Sequence, residues 1–433
     1  MSDFNAEAQR RRGWEVRRSK YIWREVINLS KDGLEQLLSV SQYDGVRPAS
    51  EASRSESLKG YKIVEKGDLV INIMLAWMGG LGVSEYDGIV SPAYAVYKLI
   101  APMEPRFLHY LYRTRRYLAD FARHLTGVVP SRWRMYSDDF GQVVTEFPPL
   151  PEQKAIVAYL DAETGRIDKA IAAEEKMIAL LQERREIVIN EAVGGGDLSH
   201  AEARCARREA VGLPEHEART PKGPQGAARG RGWMIGRLKN ITVKIGSGKT
   251  PKGGADVYSE TGVPFIRSQN VYNEGLRLDD VSFISSRIDE EMKGTRVYCG
   301  DVLLNITGGS IGRCCLYEQE EHANVNQHVC IIRVAKGKSD PRYVKYFING
   351  HAADIVGVNQ TGGNREGLNF QNIGNISIPL PPLSEQEAIV ERLDRETGKI
   401  GRAIEVKRRQ IELLRERRQI VIDEVVTGKV KVA

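Results

Sequence analysis

The residues that could do chemistry cluster in a few short segments, and most of those fail as catalytic sites. Ile245-Gly246-Ser247-Gly248-Lys249-Thr250 carries the last part of a phosphate-binding loop. The full pattern needs glycine where Val243 stands and a helix after Lys-Thr, whereas Pro251-Lys252-Gly253-Gly254 forms a turn. Ser91-Pro92-Ala93-Tyr94 has part of an Asn/Asp-Pro-Pro-Tyr motif but lacks the leading amide or carboxylate that would hold a target amino group. The seven histidines show no pair at metal-ligand spacing, and there is no G-x-S-x-G elbow or nuclease-type carboxylate cluster. Five cysteines, an odd number without a C-x-x-C pair, fit neither a disulfide framework nor a zinc site. Cys314-Cys315 read as small apolar residues of a strand after Gly312-Arg313, with a redox pair as the alternative. Neither catalysis nor a metal is expected of this chain.

Recognition chemistry is better represented. Arg267-Ser268-Gln269-Asn270, Thr307-Gly308-Gly309-Ser310, Asn326-Gln327-His328 and Gln360-Thr361-Gly362-Gly363-Asn364-Arg365 set amides, hydroxyls and guanidinium groups beside glycine. Such groups read base edges, arginine pairing with guanine and Asn or Gln with adenine. Ordinary turn chemistry uses the same residues, so both readings stand. The N-terminal half is more openly basic, with Arg10-Arg11-Arg12, Arg17-Arg18, Arg113-Thr114-Arg115-Arg116 and Arg132-Trp133-Arg134. The 113–116 run falls on an expected helix over 106–125 and is partly a solvated face. Arg132 and Arg365 follow glycine at the same repeat position; binding bases or binding backbone carbonyls are both open to them. The DNA-contact candidates are Arg132, Arg134, Arg267, Ser268, Gln269, Asn270, Asn326, Gln327, His328, Thr361, Asn364 and Arg365.

These loops need a scaffold, and the sequence supplies it twice. Shifted by 233 positions, Pro148–Gly195 and Pro381–Gly428 align without a gap, and 28 of the 48 pairs are identical. Upstream, Gly67-Asp68-Leu69-Val70-Ile71-Asn72 pairs with Gly300-Asp301-Val302-Leu303-Leu304-Asn305, and Pro105–Leu111 with Pro341–Phe347. The chain is an internal duplication of variable domain and constant segment.

Each constant segment opens on a proline-rich run and continues as a helix, over 152–193 and 385–426. Leu160, Ile167, Ile171, Ile178, Leu181, Val188 and Ala192 follow heptad a/d steps, as do their partners from Leu393 to Val425. Glu174 and Lys407 break the seam at one matched position, Arg185 and Arg418 at another. If the helices pair antiparallel, Glu174 and Lys407 meet; otherwise both snorkel to solvent.

The domains expected are 1–150, a helix at 151–195, a Gly/Pro-rich linker at 196–232 with a short helix near 201–210, 233–382, and a second helix with its tail at 383–433. The class is α+β: two globular mixed α/β domains and two long helices in an intramolecular antiparallel coiled coil. With 41% apolar and 28% charged residues among 433, the chain is too rich in core residues for disorder. A formal charge of +6 hints only weakly at a polyanion. No apolar run approaches the ~20 residues of a membrane span, and the polar N-terminus is not a secretory signal, so a soluble, cytoplasmic protein is expected.

The paired Pro-Pro-Leu-x-Glu-Gln-x-Ala-Ile-Val segments at 148–157 and 381–390 resemble those of the specificity subunits of type I restriction–modification systems. Pro264–Val271, Gly300–Asn305, Asn364–Phe370, Gly67–Asn72 and Gly88–Tyr94 extend the resemblance over nearly the whole chain. It implies two target-recognition domains, each reading half of a split sequence in double-stranded DNA, with the helices as spacer. It implies docking of two methyltransferase subunits on the constant segments, at Pro149, Leu150, Glu152, Gln153, Pro382, Leu383, Glu385 and Gln386. S-adenosylmethionine, ATP and magnesium would belong to those subunits and to restriction/translocase subunits, with no cofactor bound here. A stand-alone bipartite DNA-binding protein is the alternative, and a structural coiled-coil adaptor leaves the polar loops without a purpose.

Overall fold

A computed structural model describes residues 13–42, 45–49, 58–126, 133–194, 233–359 and 367–432. The linker at 196–232, its expected short helix, Arg10–Arg12, Arg132, Thr361, Asn364 and Arg365 lie outside the described residues.

The chain divides into two compact units, 1–176 with 407–433 and 177–406. The strands of the first are β1 (Glu15–Arg18), β2 (Trp23–Glu25), β3 (Leu38–Ser41), β4 (Gly45–Pro48), β5 (Lys62–Val64), β6 (Leu69–Asn72), β7 (Leu81–Val83), β8 (Gly88–Val90), β9 (Tyr94–Leu99) and β10 (Val144–Phe147). Its short helices are α1 (Pro105–Tyr112), α2 (Arg115–Arg123) and α3 (Ser137–Gln142), and α4 (Leu150–Val193) begins within it.

The second unit has β11 (Met234–Arg237), β12 (Thr242–Ser247), β13 (Val263–Ile266), β14 (Val271–Tyr272), β15 (Gly275–Leu276), β16 (Ser282–Ile284), β17 (Arg296–Val297), β18 (Val302–Asn305), β19 (Cys314–Leu316), β20 (Ala323–Val325), β21 (Val329–Val334) and β22 (Ser377–Leu380). Its helices are α5 (Ser286–Glu291), α6 (Pro341–Gly350), α7 (Ala352–Asn359), α8 (Phe370–Asn375) and the start of α9 (Leu383–Val426).

The duplication survives as topology. The first unit has an antiparallel sheet β2-β9-β6-β7 and a two-stranded ribbon β1-β10; the second has β12-β21-β18-β19 and β11-β22, in the same relation. The matched Gly-Asp motifs show why. Gly67 and Gly300 sit at φ +96° and +92°, a turn that favours glycine. The next carboxylate closes each turn: Asp68 accepts from the Glu65 N–H at 2.9 Å and Asp301 from Tyr298 at 2.8 Å. The strands that follow, Leu69–Asn72 and Val302–Asn305, are buried throughout, as strands covered on both faces must be. Burial pushes the Asp68 carboxyl up from its ordinary value. In the second unit Asp301 instead accepts two 2.7 Å hydrogen bonds from Arg333.

The long helices are 44 residues each, about 66 Å at 1.5 Å per residue. They begin two residues earlier than the spacing predicts, because Pro149 and Pro382 carbonyls already accept from residues 152/153 and 385/386. Each unit's core holds the start of one helix and the end of the other. Ile156, Val157 and Leu160 meet Ile422, Val425 and Val426 in the first; Val390 and Leu393 meet Ile189 and Val193 in the second. That arrangement is antiparallel. Lys407 Nζ lies 3.0 Å from Glu174 Oε2, with both side chains less than a third exposed. Arg415 reaches Glu175 at 3.3 Å and Arg418 reaches Asp168 at 3.1 Å, in the same sense.

The expected single helix over 106–125 is two. Thr114 interrupts it, its hydroxyl accepting from the Tyr117 N–H as an N-cap. Arg113, beside the break, donates to the carbonyls of Ser41, Gln42, Gly79 and Leu81. Arg116 makes a two-point pair with Glu146 at 2.8 and 3.0 Å. Both arginines serve the fold. Cys314 and Cys315 are buried in β19, and burial pushes the Cys315 thiol up to about 12.

Candidate nucleic-acid interface

In the second unit β12 runs parallel to β18, because both pair antiparallel with β21; β13 runs parallel to β20. The loops leaving these strands are tied to one another. Asn305, the last residue of β18 and fully buried, donates to the Ser268 carbonyl (2.8 Å) and the Ser310 hydroxyl (3.1 Å). Thr307 Oγ1 lies 2.5 Å from His328 Nδ1, and Gln327 accepts from the Thr250 hydroxyl. Gly367, where the described chain resumes, bridges to Thr307. The structure therefore joins three of the four polar loops, 268–270, 307–310 and 326–328.

The rejected phosphate-loop segment belongs to the same cluster. β12 leads into it and Pro251 onward turns, with no α-helix before Ser286. Gly248 is required because a Cβ there would sit 1.7 Å from the Val325 carbonyl oxygen. Close strand-to-loop packing explains this glycine. Lys249 and Thr250 beyond it are exposed.

Within the cluster, scaffold and surface separate. Asn270 is buried: its Oδ1 accepts from the Arg267 N–H at 3.0 Å, and its Nδ2 donates to the Arg277 and Asp280 carbonyls. With every donor direction occupied, it holds the turn and does not reach a base; the expectation is corrected. Arg267 is likewise drawn inward, over the Tyr258 ring at 5.8 Å and donating to the Asp280 carbonyl at 3.1 Å. Ser268 is half-buried, its carbonyl held by Asn305, while Gln269 is exposed and donates to Asp280 Oδ2 at 2.6 Å. Asn326 and His328 are half-buried and joined by the His328 N–H donating to Asn326 Oδ1. Gln327 is exposed.

The first unit presents a different surface at the matched place. β6 ends at Asn72, whose Oδ1 accepts from the Met74 N–H at 3.1 Å. The following segment exposes Met74, Leu75 and Met78, and Trp77 stacks edge-on against Trp133 at 5.4 Å. Arg134 bridges to Thr126 through its backbone and donates from Nη1 to the Trp133 carbonyl. Where the second unit carries Thr-Gly-Gly-Ser, the first carries Met-Leu-Ala-Trp-Met. Sequence reasoning passed over these residues because apolar side chains read as core. It also missed Tyr272, Arg277 and Arg313. The short β14–β15 hairpin, an Asn-Glu-Gly turn between apolar residues, was the signal for the first two; Arg313, just before β19, had none.

The residues expected to face partner subunits divide the same way. Pro149, Pro382 and Leu383 are exposed, Leu150 and Glu152 half-buried. Glu385 accepts from Trp233 Nε1 at 3.2 Å. Gln153 and Gln386 are buried and turned inward, which corrects their place in a docking surface. Gln153 donates to the Pro148 carbonyl and accepts from the Glu104 N–H; Gln386 donates to Pro381 and accepts from the Ser339 hydroxyl and the Asp340 N–H. A second matched pair follows about two turns on: Tyr110 donates to Asp161 at 2.8 Å and Tyr346 to Asp394 at 2.5 Å. Identity between the two constant segments thus reflects how each helix grips its own unit.

Among the described residues no group of three His, Cys, Asp or Glu could hold a metal ion, and no helix is long and apolar enough to cross a membrane.

This geometry gives two units of one topology, each with its own loop surface and each holding the start of one long helix and the end of the other. Residues 230–413 match the family described as "Type I restriction modification DNA specificity domain". The chain is 25% identical over 304 residues to the type I restriction enzyme MjaVIII specificity subunit of Methanocaldococcus jannaschii, covering 68% of this chain and 63% of that one. It is 23% identical over 261 residues to the EcoKI specificity subunit of Escherichia coli K12, covering 59% and 51%. The matches thus span about half to two thirds of those relatives. A solved chain from work on complex assembly and conformational transition of the type I R-M system has a TM-score of 0.61 at 17% identity, covering 96% of this chain and 98% of that one. Over residues 230–413 the chain thus matches a type I specificity domain, and more broadly it is similar to type I restriction enzyme specificity subunits.

Proposed function

We propose that this chain reads a bipartite sequence in double-stranded DNA and directs adenine methylation and ATP-dependent restriction carried out by partner subunits. The observation that carries this reading is the pairing of a common scaffold with divergent loops. The sheets, the Gly-Asp turns and the helix grips repeat, whereas the loop after β6 is apolar and that after β18 polar. Two readers of one build with different faces suit two different half-sites. Joining them in one chain raises the effective concentration of the second once the first is bound.

On this reading the chain is non-catalytic. Two methyltransferase subunits dock on the exposed Pro149, Pro382 and Leu383 corners, and restriction/translocase subunits join them. S-adenosylmethionine, ATP and magnesium act in those subunits, and the long helices set the spacing of the half-sites. The test is base-resolution adenine methylation of the source genome with and without the gene. Loss of one split motif on deletion supports the reading. Retention of every methylated motif counts against it, and a DNA footprint without methylation favours a stand-alone DNA-binding protein.

A further inference from the structure

Two guanidinium groups share one aromatic ring in the second unit. Arg277 Cζ lies 3.7 Å from the Tyr272 ring centroid and Arg313 Cζ 4.7 Å from it. Among the described residues no ion pair neutralises either arginine, and two carboxylates close in sequence are engaged elsewhere. Asp280 holds Gln269 and Arg267, and Glu274 pairs with Arg185 at 2.7 Å. Like charges crowded on one ring repel each other, and a cation–π contact at an exposed site returns little in compensation. The arrangement is completed by an anion that the described residues do not supply.

Its position says which anion. The Arg277 N–H donates to the Asn270 carbonyl and the Arg313 N–H to the Ser310 carbonyl, so the two arginines abut the turns at 268–270 and 308–310. The hairpin carrying Tyr272 is fixed at its tip. Asn273 Oδ1 accepts from the Cys314 N–H at 3.0 Å, and Glu274 is held by Arg185 of α4. That contact also gives a purpose to the charge at Arg185, which otherwise interrupts the helix seam. A guanidinium pre-set against a ring keeps its N–H fork for a two-point contact with phosphate oxygens.

We propose that Arg277 and Arg313, seated on Tyr272, form a clamp for the DNA phosphate backbone beside the polar turns of the second unit. This rests on the DNA-recognition reading above and adds to it a positioning contact, which fixes register without reading sequence.

The experiment uses the full chain and two short duplexes, one carrying the methylated motif and one of arbitrary sequence, titrated over a salt series. Arg277→Ala with Arg313→Ala should weaken binding by the same factor on both duplexes. It should flatten the slope of log K against log salt by about 0.9 to 1.8, for one or two phosphates. Arg277→Lys should keep the slope, and Gln269→Ala, which removes no charge, should leave it unchanged. If Arg313→Ala fails to fold, the exposed Arg277 carries the test alone, as Ala and as Glu. An unchanged slope in a variant that still binds overturns the clamp and leaves DNA recognition standing. Loss confined to the motif duplex overturns the phosphate assignment in favour of base reading. A wild-type chain with no salt-dependent binding to either duplex overturns both proposals.

Discussion

Reversing the charge at Glu174 tests the antiparallel register of the two long helices. Glu174 and Lys407 are both less than a third exposed, 3.0 Å apart at their closest atoms, and Lys407 has one further partner, Gln410 at 3.1 Å. Two unit charges 4 Å apart in an effective dielectric of 20 interact by about 4 kcal/mol, a ceiling before desolvation. A partly exposed pair keeps roughly 1 kcal/mol net. Glu174→Ala should therefore cost about 1 kcal/mol. Glu174→Lys adds repulsion and should cost about 2–3 kcal/mol, less in high salt. Combining Glu174→Lys with Lys407→Glu should restore all but about 0.5 kcal/mol, a coupling that a double-mutant cycle isolates. Urea unfolding followed by far-UV circular dichroism at low and high salt reads these differences. Refutation would be Glu174→Lys within 0.5 kcal/mol of wild type, or a double swap no more stable than the single variant.

Gln386→Ala should destabilise by about 2–3 kcal/mol and Gln153→Ala by slightly less, since the first strands three buried hydrogen-bonding groups and the second two; the order of their urea midpoints checks this. Gly248→Ala should cost at least about 3 kcal/mol, its Cβ meeting the Val325 carbonyl at 1.7 Å, whereas Gly246→Ala meets nothing within 4 Å and should unfold close to wild type. His109 is buried among Arg113, Arg106 and Arg418, and burial with those charges pushes it down from 6.5 to about 3. The unfolded chain binds its proton more readily, so stability present above pH 6.5 is lost as pH falls toward 3. Relative to His109→Gln, the wild type should lose about 3 kcal/mol between pH 6.5 and pH 4, at about 1.36 kcal/mol per unit; parallel stability profiles would count against it.

The architecture was largely legible because its signals are periodic. Heptad steps in two copies located α4 and α9 to within two residues, and the Gly-Asp strands could be found by self-alignment. The 106–125 segment misled because its apolar spacing continues through Thr114, a capping residue whose role depends on a local break. The site was half legible. Polar loop composition found the turns, but in a tight turn buried and exposed residues alternate, so Asn270 and Gln269 were indistinguishable by type. Arg277 and Arg313, 36 residues apart and each alone in its segment, come together only through a hairpin and a sheet edge. Gln153 and Gln386 looked like docking residues because they recur; the recurrence reflects the same internal grip made twice.

The central claim is that one chain holds two independent readers. Its most direct test is to replace residues 233–382 with the corresponding segment of a relative and map adenine methylation at base resolution. The account predicts a split motif in which one half changes and the other half and the spacing persist. A motif altered in both halves, or unaltered, would contradict it.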